Sequence, residues 1–225
     1  MSNLTYKRSY RRNLPHIQPP GAILFLTFRL TGSLPGSVIN RWRQEKRRLK
    51  RLAERNDPRV EQYKIQSRRR WFAKFEALLD AGSCGPLWLK DELIADEVAE
   101  SLHYRDGKVY RLDAFSIMAN HVHAVFKPLP ILLPVNLSDE DVPYHSIASI
   151  MMSLKGYTAY KANRLLGRKG AFWEAESFDH YVRDNAEWER IIAYVLNNPV
   201  KAGYVGHWSE WKWNYRRPSQ LLLAS

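Results

Sequence analysis

Three side chains of this chain stand out as candidates for chemistry: His121 and His123, one residue apart, and Tyr194 further along. On a strand, successive side chains alternate faces, so His121, His123 and Val125 share one side while Val122, Ala124 and Phe126 share the other. The second set is wholly apolar and suits burial against helices. The first set then places two imidazoles side by side, where neutral ring nitrogens can share one divalent cation. Taken alone, a His-x-His pair fits two hydrogen-bonded imidazoles better than a metal site.

Tyr194 belongs to a helix whose start is written at Asp184, an N-cap residue three before Glu187. Trp188, Ile191, Ile192 and Val195 recur at i, i+3, i+4 and i+7 and predict its buried stripe. At about 100° per residue, Tyr194 falls beyond the edge of that stripe. Glu187, Arg190, Tyr194 and Asn198 form a polar strip of their own, which predicts a supported ring with a hydroxyl free of the core. Boundary tyrosines also occupy such places for packing and a surface hydrogen bond. Asn198 precedes Pro199, so the helix is expected to end near Asn197 or Asn198. One turn past Tyr194, Asn198 can offer a carbonyl oxygen to a hard cation, or simply finish the helix.

The elements that must carry these residues follow from breakers and periodicity. A basic arm over residues 1–20, with Arg11 and Arg12, reads as extended and leads through Pro19, Pro20 and Gly21 into a strand from Ile23 to Leu30. Within it Leu24, Leu26 and Phe28 face one way, and Phe25, Thr27 and Arg29 the other, the half-exposed pattern. Two helices follow, broken near Asn56-Asp57-Pro58, then a Gly-Ser-Cys-Gly-Pro loop from Gly82. Asp91 to His103 reads as a helix with Leu93, Ile94, Val98 and Leu102 as its stripe. Val109 to Ile117 and His121 to Phe126 form a hairpin, residues 127–141 a Pro-rich loop, Ser146 to Leu166 a helix, and Phe172 to Val182 a strand region. Strands and helices do not alternate regularly, which favours an α+β antiparallel sheet over a doubly wound fold.

Composition narrows the partners. The chain has 225 residues, 45% of them hydrophobic, with eight Trp, as a folded globule requires. It is read as a single domain over 1–225, with the arm at 1–20 and a basic helical insertion at about 36–80. The lone Cys84 excludes an internal disulfide framework and fits a reducing compartment. The opening residues are polar and basic, unlike a signal peptide, and the run Ala22 to Phe28 is too short to span a bilayer. A cytoplasmic placement with no membrane partner is therefore expected. The net charge is +12, and Arg41 to Arg70 holds thirteen Lys/Arg against four Asp/Glu, a net +9. A single charged run usually means a solvated helix. The one-sided sign here favours phosphate contact, with Arg43, Arg47, Lys50 and Arg51 as candidates beside Arg11, Arg12, Arg183 and Arg190.

Several spaced motifs, in order, resemble the single-tyrosine transposases of the HUH endonuclease superfamily, in the branch associated with repetitive extragenic palindromes. Arg11-Arg12-Asn13-Leu14-Pro15-His16, with Phe25-Leu26-Thr27-Phe28-Arg29-Leu30, is similar to that family's opening. Met118-Ala119-Asn120-His121-Val122-His123 is similar to its Met-Pro-Asn-His-x-His signature. Phe172-Trp173-Glu174, Phe178-Asp179-His180 and Arg183 resemble its later strand. Tyr194 through Asn198-Pro199-Val200-Lys201-Ala202-Gly203 resembles its tyrosine helix and tail. The resemblance implies a ferredoxin-like sheet with helices packed on one face, and His121 and His123 as ligands of Mg²⁺ or Mn²⁺. It further implies that Asn198 can complete the metal site, and that Tyr194 attacks single-stranded, hairpin-forming DNA as the nucleophile. A monomer or homodimer is expected. Ala119 departs from the family's proline, and the basic segment is longer than in its shortest members. Two other classes stay open: a catalytically inactive DNA- or RNA-binding regulator of the same fold, and an RNA-processing protein.

Overall fold

The computed structural model describes residues 9–11, 15–17, 19, 21–131 and 142–218, the first two segments by backbone alone. Strand β1 (Ser9–Arg11) pairs antiparallel with β2 (Pro15–Ile17). Arg12 and the Arg11 side chain lie outside the described residues.

The main sheet is built from β3 (Leu24–Arg29), β4 (Tyr110–Ile117), β5 (His121–Pro128), β6 (Phe178–Tyr181) and β7 (Asn214–Arg216). Its order is β6-β3-β5-β4-β7, with every pairing antiparallel. The first four in that order make a ferredoxin-like sheet: β3 leads through α3 (Glu92–Arg105) to β4, β4 turns into β5, and β5 leads through α4 (Ile147–Leu165) to β6. β7 extends the β4 edge, and Trp211 ties it down by donating Nε1–H to the Ile117 carbonyl at 3.0 Å.

Helices α3 and α4 cover one face. Leu24, Leu26 and Phe28 from β3, Leu112, Phe115 and Ile117 from β4, and Val122, Ala124 and Phe126 from β5 pack there with Ile94, Val98, Leu102, Ile150 and Leu154. The alternation in β5 therefore sorts its residues as expected. Leu93, expected in the α3 stripe, is exposed. It lies at the start of the helix, where Asp91 caps the amides of Leu93 and Ile94, and Ala95 takes its place in the core.

The opposite face is also covered, which corrects the half-exposed reading of β3. Helix α5 (Asn185–Leu196) lays Ile192, Val195 and Leu196 over Phe25, Ala114 and Val125. The larger of these, Phe25, Val125, Ile192, Val195 and Leu196, each contribute roughly 1.5–3 kcal/mol by leaving water. Helix α2 (Val60–Asp80) covers the rest of that face, so Phe25 and Thr27 are buried. It follows α1 (Gly36–Glu54) as a helical hairpin, in which Glu45 accepts from Ser67 Oγ and Trp71 Nε1. Gly85 supports the loop beyond α2: its φ is +76°, and a Cβ there would sit 2.4 Å from the Gly32 carbonyl oxygen. Among the described residues no helix is long and apolar enough to cross a membrane.

Candidate metal centre and tyrosine

The two imidazoles stand on β5 opposite β3, with His121 across from Arg29 and His123 across from Thr27. Both side chains are fully buried. His121 Nδ1 lies 2.7 Å from Asn120 Oδ1, while Asn120 Nδ2 donates to the Leu79 carbonyl at 3.1 Å. With its amide so oriented, Asn120 presents an acceptor; His121 carries its proton on Nδ1 and leaves Nε2 as a lone pair. His123 Nδ1 lies 2.9 Å from Thr27 Oγ1, which can donate or accept. The two Nε2 atoms face each other at 3.0 Å. That separation would let both ring nitrogens reach one cation.

Acid comes to the pair from α2. Arg68, Phe72, Glu76 and Asp80 recur at four-residue intervals and form the edge of the helix that meets the sheet. Arg68 donates to the Asp179 carbonyl, and Phe72 stacks on Phe178 with ring centroids 4.3 Å apart. One turn on, Glu76 Oε2 lies 3.2 Å from His123 Nε2, and Asp80 Oδ1 lies 3.7 Å from His121 Nε2. Glu76, His121 and His123 each offer one ligand atom within 4.8 Å of the others.

Tyr194 joins this cluster from α5. Its hydroxyl donates to Glu76 Oε2, and its ring centroid lies 5.6 Å from that of His123. The hydroxyl is thus turned into the site, which corrects the expectation that it stands free of the core. Burial pushes the Tyr194 phenol upward, and the adjacent Glu76 carboxylate adds to this. Lys201 lies over the tyrosine ring, its Nζ 4.6 Å from the centroid. Burial pulls His121 down to about 3, and His123 beside it works in the same direction, so His121 is neutral at ordinary pH. Burial alone would raise Glu76, but His123, His121 and the Tyr194 hydroxyl together hold its carboxyl below the usual range. Asp80 is pushed up to about 6 by burial and by neighbouring Glu76.

Helix α5 stops at Leu196, and Pro199 sits in the first turn of the short helix α6 (Asn198–Lys201). Asn198 is fully buried there; its Nδ2 donates to the Tyr194 carbonyl at 3.2 Å, and its Oδ1 has no hydrogen-bond partner among the described residues. The neutral His121 imidazole, His123 and the Glu76 carboxylate form a donor set that fits a divalent cation, and Asp80 Oδ1, 3.7 Å from His121 Nε2, has no hydrogen-bond partner among the described residues.

The predicted DNA contacts separate into two groups. Arg43, Arg47, Lys50 and Arg51 are exposed on α1, with Lys50 3.6 Å from Glu54. Arg183 is committed to Glu187, and Arg190 is exposed on α5. Glu187 does not reach back to the amide of Asp184 as a capping box would. It binds the Arg183 amide and guanidinium and lies 3.1 Å from His180 Nε2. Neither Glu76 nor Asp80 falls in any of the motifs, while Thr27, Asn120 and Lys201 stand within them without an assigned role. One signal was available: after Glu61, Glu76 and Asp80 are the only acids in α2, one turn apart on the line of Phe72.

No family model matches the chain. An uncharacterized protein of Haemophilus influenzae is 28% identical over 104 residues, covering 40% of this chain and 54% of that protein, so the match spans about half of its length. A solved structure of a REP-associated tyrosine transposase bound to a REP hairpin covers 91% of this chain and 80% of its own. It is similar at 15% sequence identity with a TM-score of 0.45.

Proposed function

We propose that this chain is a divalent-metal-dependent enzyme that cleaves and rejoins single-stranded, hairpin-forming DNA through a 5′-phosphotyrosine at Tyr194. The observation that carries the reading is the convergence on Glu76. Its Oε2 lies 3.2 Å from His123 Nε2 and accepts from the Tyr194 hydroxyl, so a cation-binding donor set and an oxygen nucleophile meet at one carboxylate. The motif resemblance supports the same assignment.

His121, His123 and Glu76 would hold the ion, and Asn198, whose Oδ1 has no hydrogen-bond partner among the described residues, is the further ligand that the motif resemblance implies. When bound, it supplies Lewis-acid polarisation of a phosphodiester oxygen. The remaining work belongs to the chain. Thr27 and Asn120 fix the two rings, and α5 sets Tyr194 against the pair. The Tyr194 oxygen attacks phosphorus, the bond to the 3′ oxygen breaks, and the phenolic proton passes to solvent while the leaving 3′ oxygen ends as a hydroxyl. The ester conserves the bond, so a 3′ hydroxyl attacking it rejoins the strand without an external energy source.

In this reading residues 36–80 are part of the same working unit, because α2 carries Glu76. The enzyme acts in the cytoplasm as a monomer or homodimer. A labelled hairpin oligonucleotide with single-stranded flanks should be nicked in Mg²⁺ or Mn²⁺ and left intact in EDTA. Binding without any nicking in either metal would instead support an inactive regulator.

A further inference from the structure

We infer that Arg29, Arg43 and Lys46 form a phosphate subsite beside the histidine pair, seating a backbone phosphate of the single strand that enters it. This rests on the proposed DNA reading but not on the cleavage chemistry. Arg29 lies across β3–β5 from His121 on the face shared by the pair. Its guanidinium is held at 3.4 Å by Glu174 and donates to Ser33 Oγ at 3.2 Å. Arg43 is close enough to Arg29 and to Lys46 to oppose the charge of each.

Lys46 is the anomaly. Its stem follows Trp42 so that the ammonium sits 3.9 Å from the ring centroid. The Nζ atom is buried and has no hydrogen-bond partner among the described residues. Burial pulls it down to about 8, with Glu176 opposing and Arg43 reinforcing the shift. Glu174 does not serve it, since Oε1 already takes Arg29 and the Gly32 amide at 3.1 Å. A buried ammonium that makes no hydrogen bond among the described residues and lies near Arg43, which also acts on Arg29, is suited to an anion with several acceptor oxygens. Arg47 and Lys50 continue outward along α1 from Arg43 and Lys46 at helical spacing, so the same strand's phosphates can follow the helix away from the site.

The test uses the full chain and a short fluorescein-labelled single-stranded oligodeoxynucleotide of mixed sequence, read by anisotropy across a salt series. Lys46→Gln keeps a polar stem over Trp42 and removes the charge. It should weaken binding on the order of tenfold near 0.1 M salt and reduce the salt slope by about 0.7, the value for one lost contact to a single strand. Lys46→Arg should keep both. Arg48→Gln, an exposed position elsewhere on α1, should change affinity much less. Repeating Lys46→Gln in the His121→Ala/His123→Ala background should give the same slope change, which separates this subsite from the metal and cleavage assignments. Unchanged affinity and slope, or equal effects of Lys46→Gln and Arg48→Gln, overturns the inference. A lowered melting temperature with unchanged DNA binding also overturns it, because Lys46 would then serve the fold.

Discussion

Glu76 accepts the hydroxyl hydrogen of Tyr194 across 118 residues of sequence, and the same oxygen lies 3.2 Å from His123 Nε2. One carboxylate thus joins the nucleophile candidate to the metal-site candidate. With Glu76 ionised, the phenol keeps its proton; a cation drawing on Glu76 would weaken that hold.

The first prediction follows from this shared oxygen. Glu76→Gln removes the charge but keeps an acceptor for Tyr194. Calorimetric titration should show Mn²⁺ affinity falling by on the order of tenfold or more, as a lost anionic ligand implies. An unchanged affinity would remove Glu76 from the ligand set.

The histidines are tested through stability and activity together. At about a hundredfold excess over Kd, a bound ion adds roughly 2.7 kcal/mol to the folded state. For a chain of this size each kcal/mol moves Tm by roughly 2–4 °C. His121→Ala and His123→Ala should each lose that Mn²⁺-dependent rise and all nicking, while affinity for single-stranded DNA stays within about twofold, because phosphate contacts dominate binding. Full nicking by the double variant would sink the metal assignment.

Glu187 gives a pH dependence with a definite sign. Its bonds to Arg183 pull it down to about 2, against burial, with His180 assisting. A carboxylate lowered in the folded state adds stability above its unfolded value near 4.5, and that stability is lost as pH falls toward 2. Glu187→Gln should therefore lower stability at pH 7 by about 2 kcal/mol, the scale of charged hydrogen bonds. Near pH 2 its denaturation midpoint should approach that of the wild type. An equal deficit at both pH values would mean that packing, not charge, is what the variant lost.

The α1 surface has its own test. Replacing Arg47, Lys50 and Arg51 with Glu should weaken binding to all single-stranded sequences alike and flatten the salt slope by about 2, at about 0.7 per lost phosphate contact. Unchanged affinity and slope would leave the helix as a solvated face.

Much of this architecture was legible in the sequence for local reasons. Alternation in β5 assigned Val122, Ala124 and Phe126 to one core and both histidines to the other face. The Asp184 cap and the Ile192–Val195 spacing fixed the phase of α5. Two aspects escaped because they are long-range. Nothing local to Phe25 or Thr27 announces that α2 lies over them. The direction of the Tyr194 hydroxyl depends on Glu76, a residue placed by the way α2 crosses the sheet. The basic run from Arg41 to Arg70 drew attention to charge, while the informative acids stand just past its end.

The proposed reaction esterifies Tyr194 to the 5′ phosphate of the cleaved strand. The most direct measurement is to incubate the protein with a hairpin oligonucleotide labelled on the 3′ side of the cleavage point and Mn²⁺, digest the trapped complex, and locate the adduct by mass spectrometry. A nucleotide-bearing peptide modified at Tyr194 is expected, absent from Tyr194→Phe and from His121→Ala/His123→Ala. An adduct on Tyr157, Tyr160 or Tyr181 instead, or nicking that persists in Tyr194→Phe with no covalent species, would contradict it.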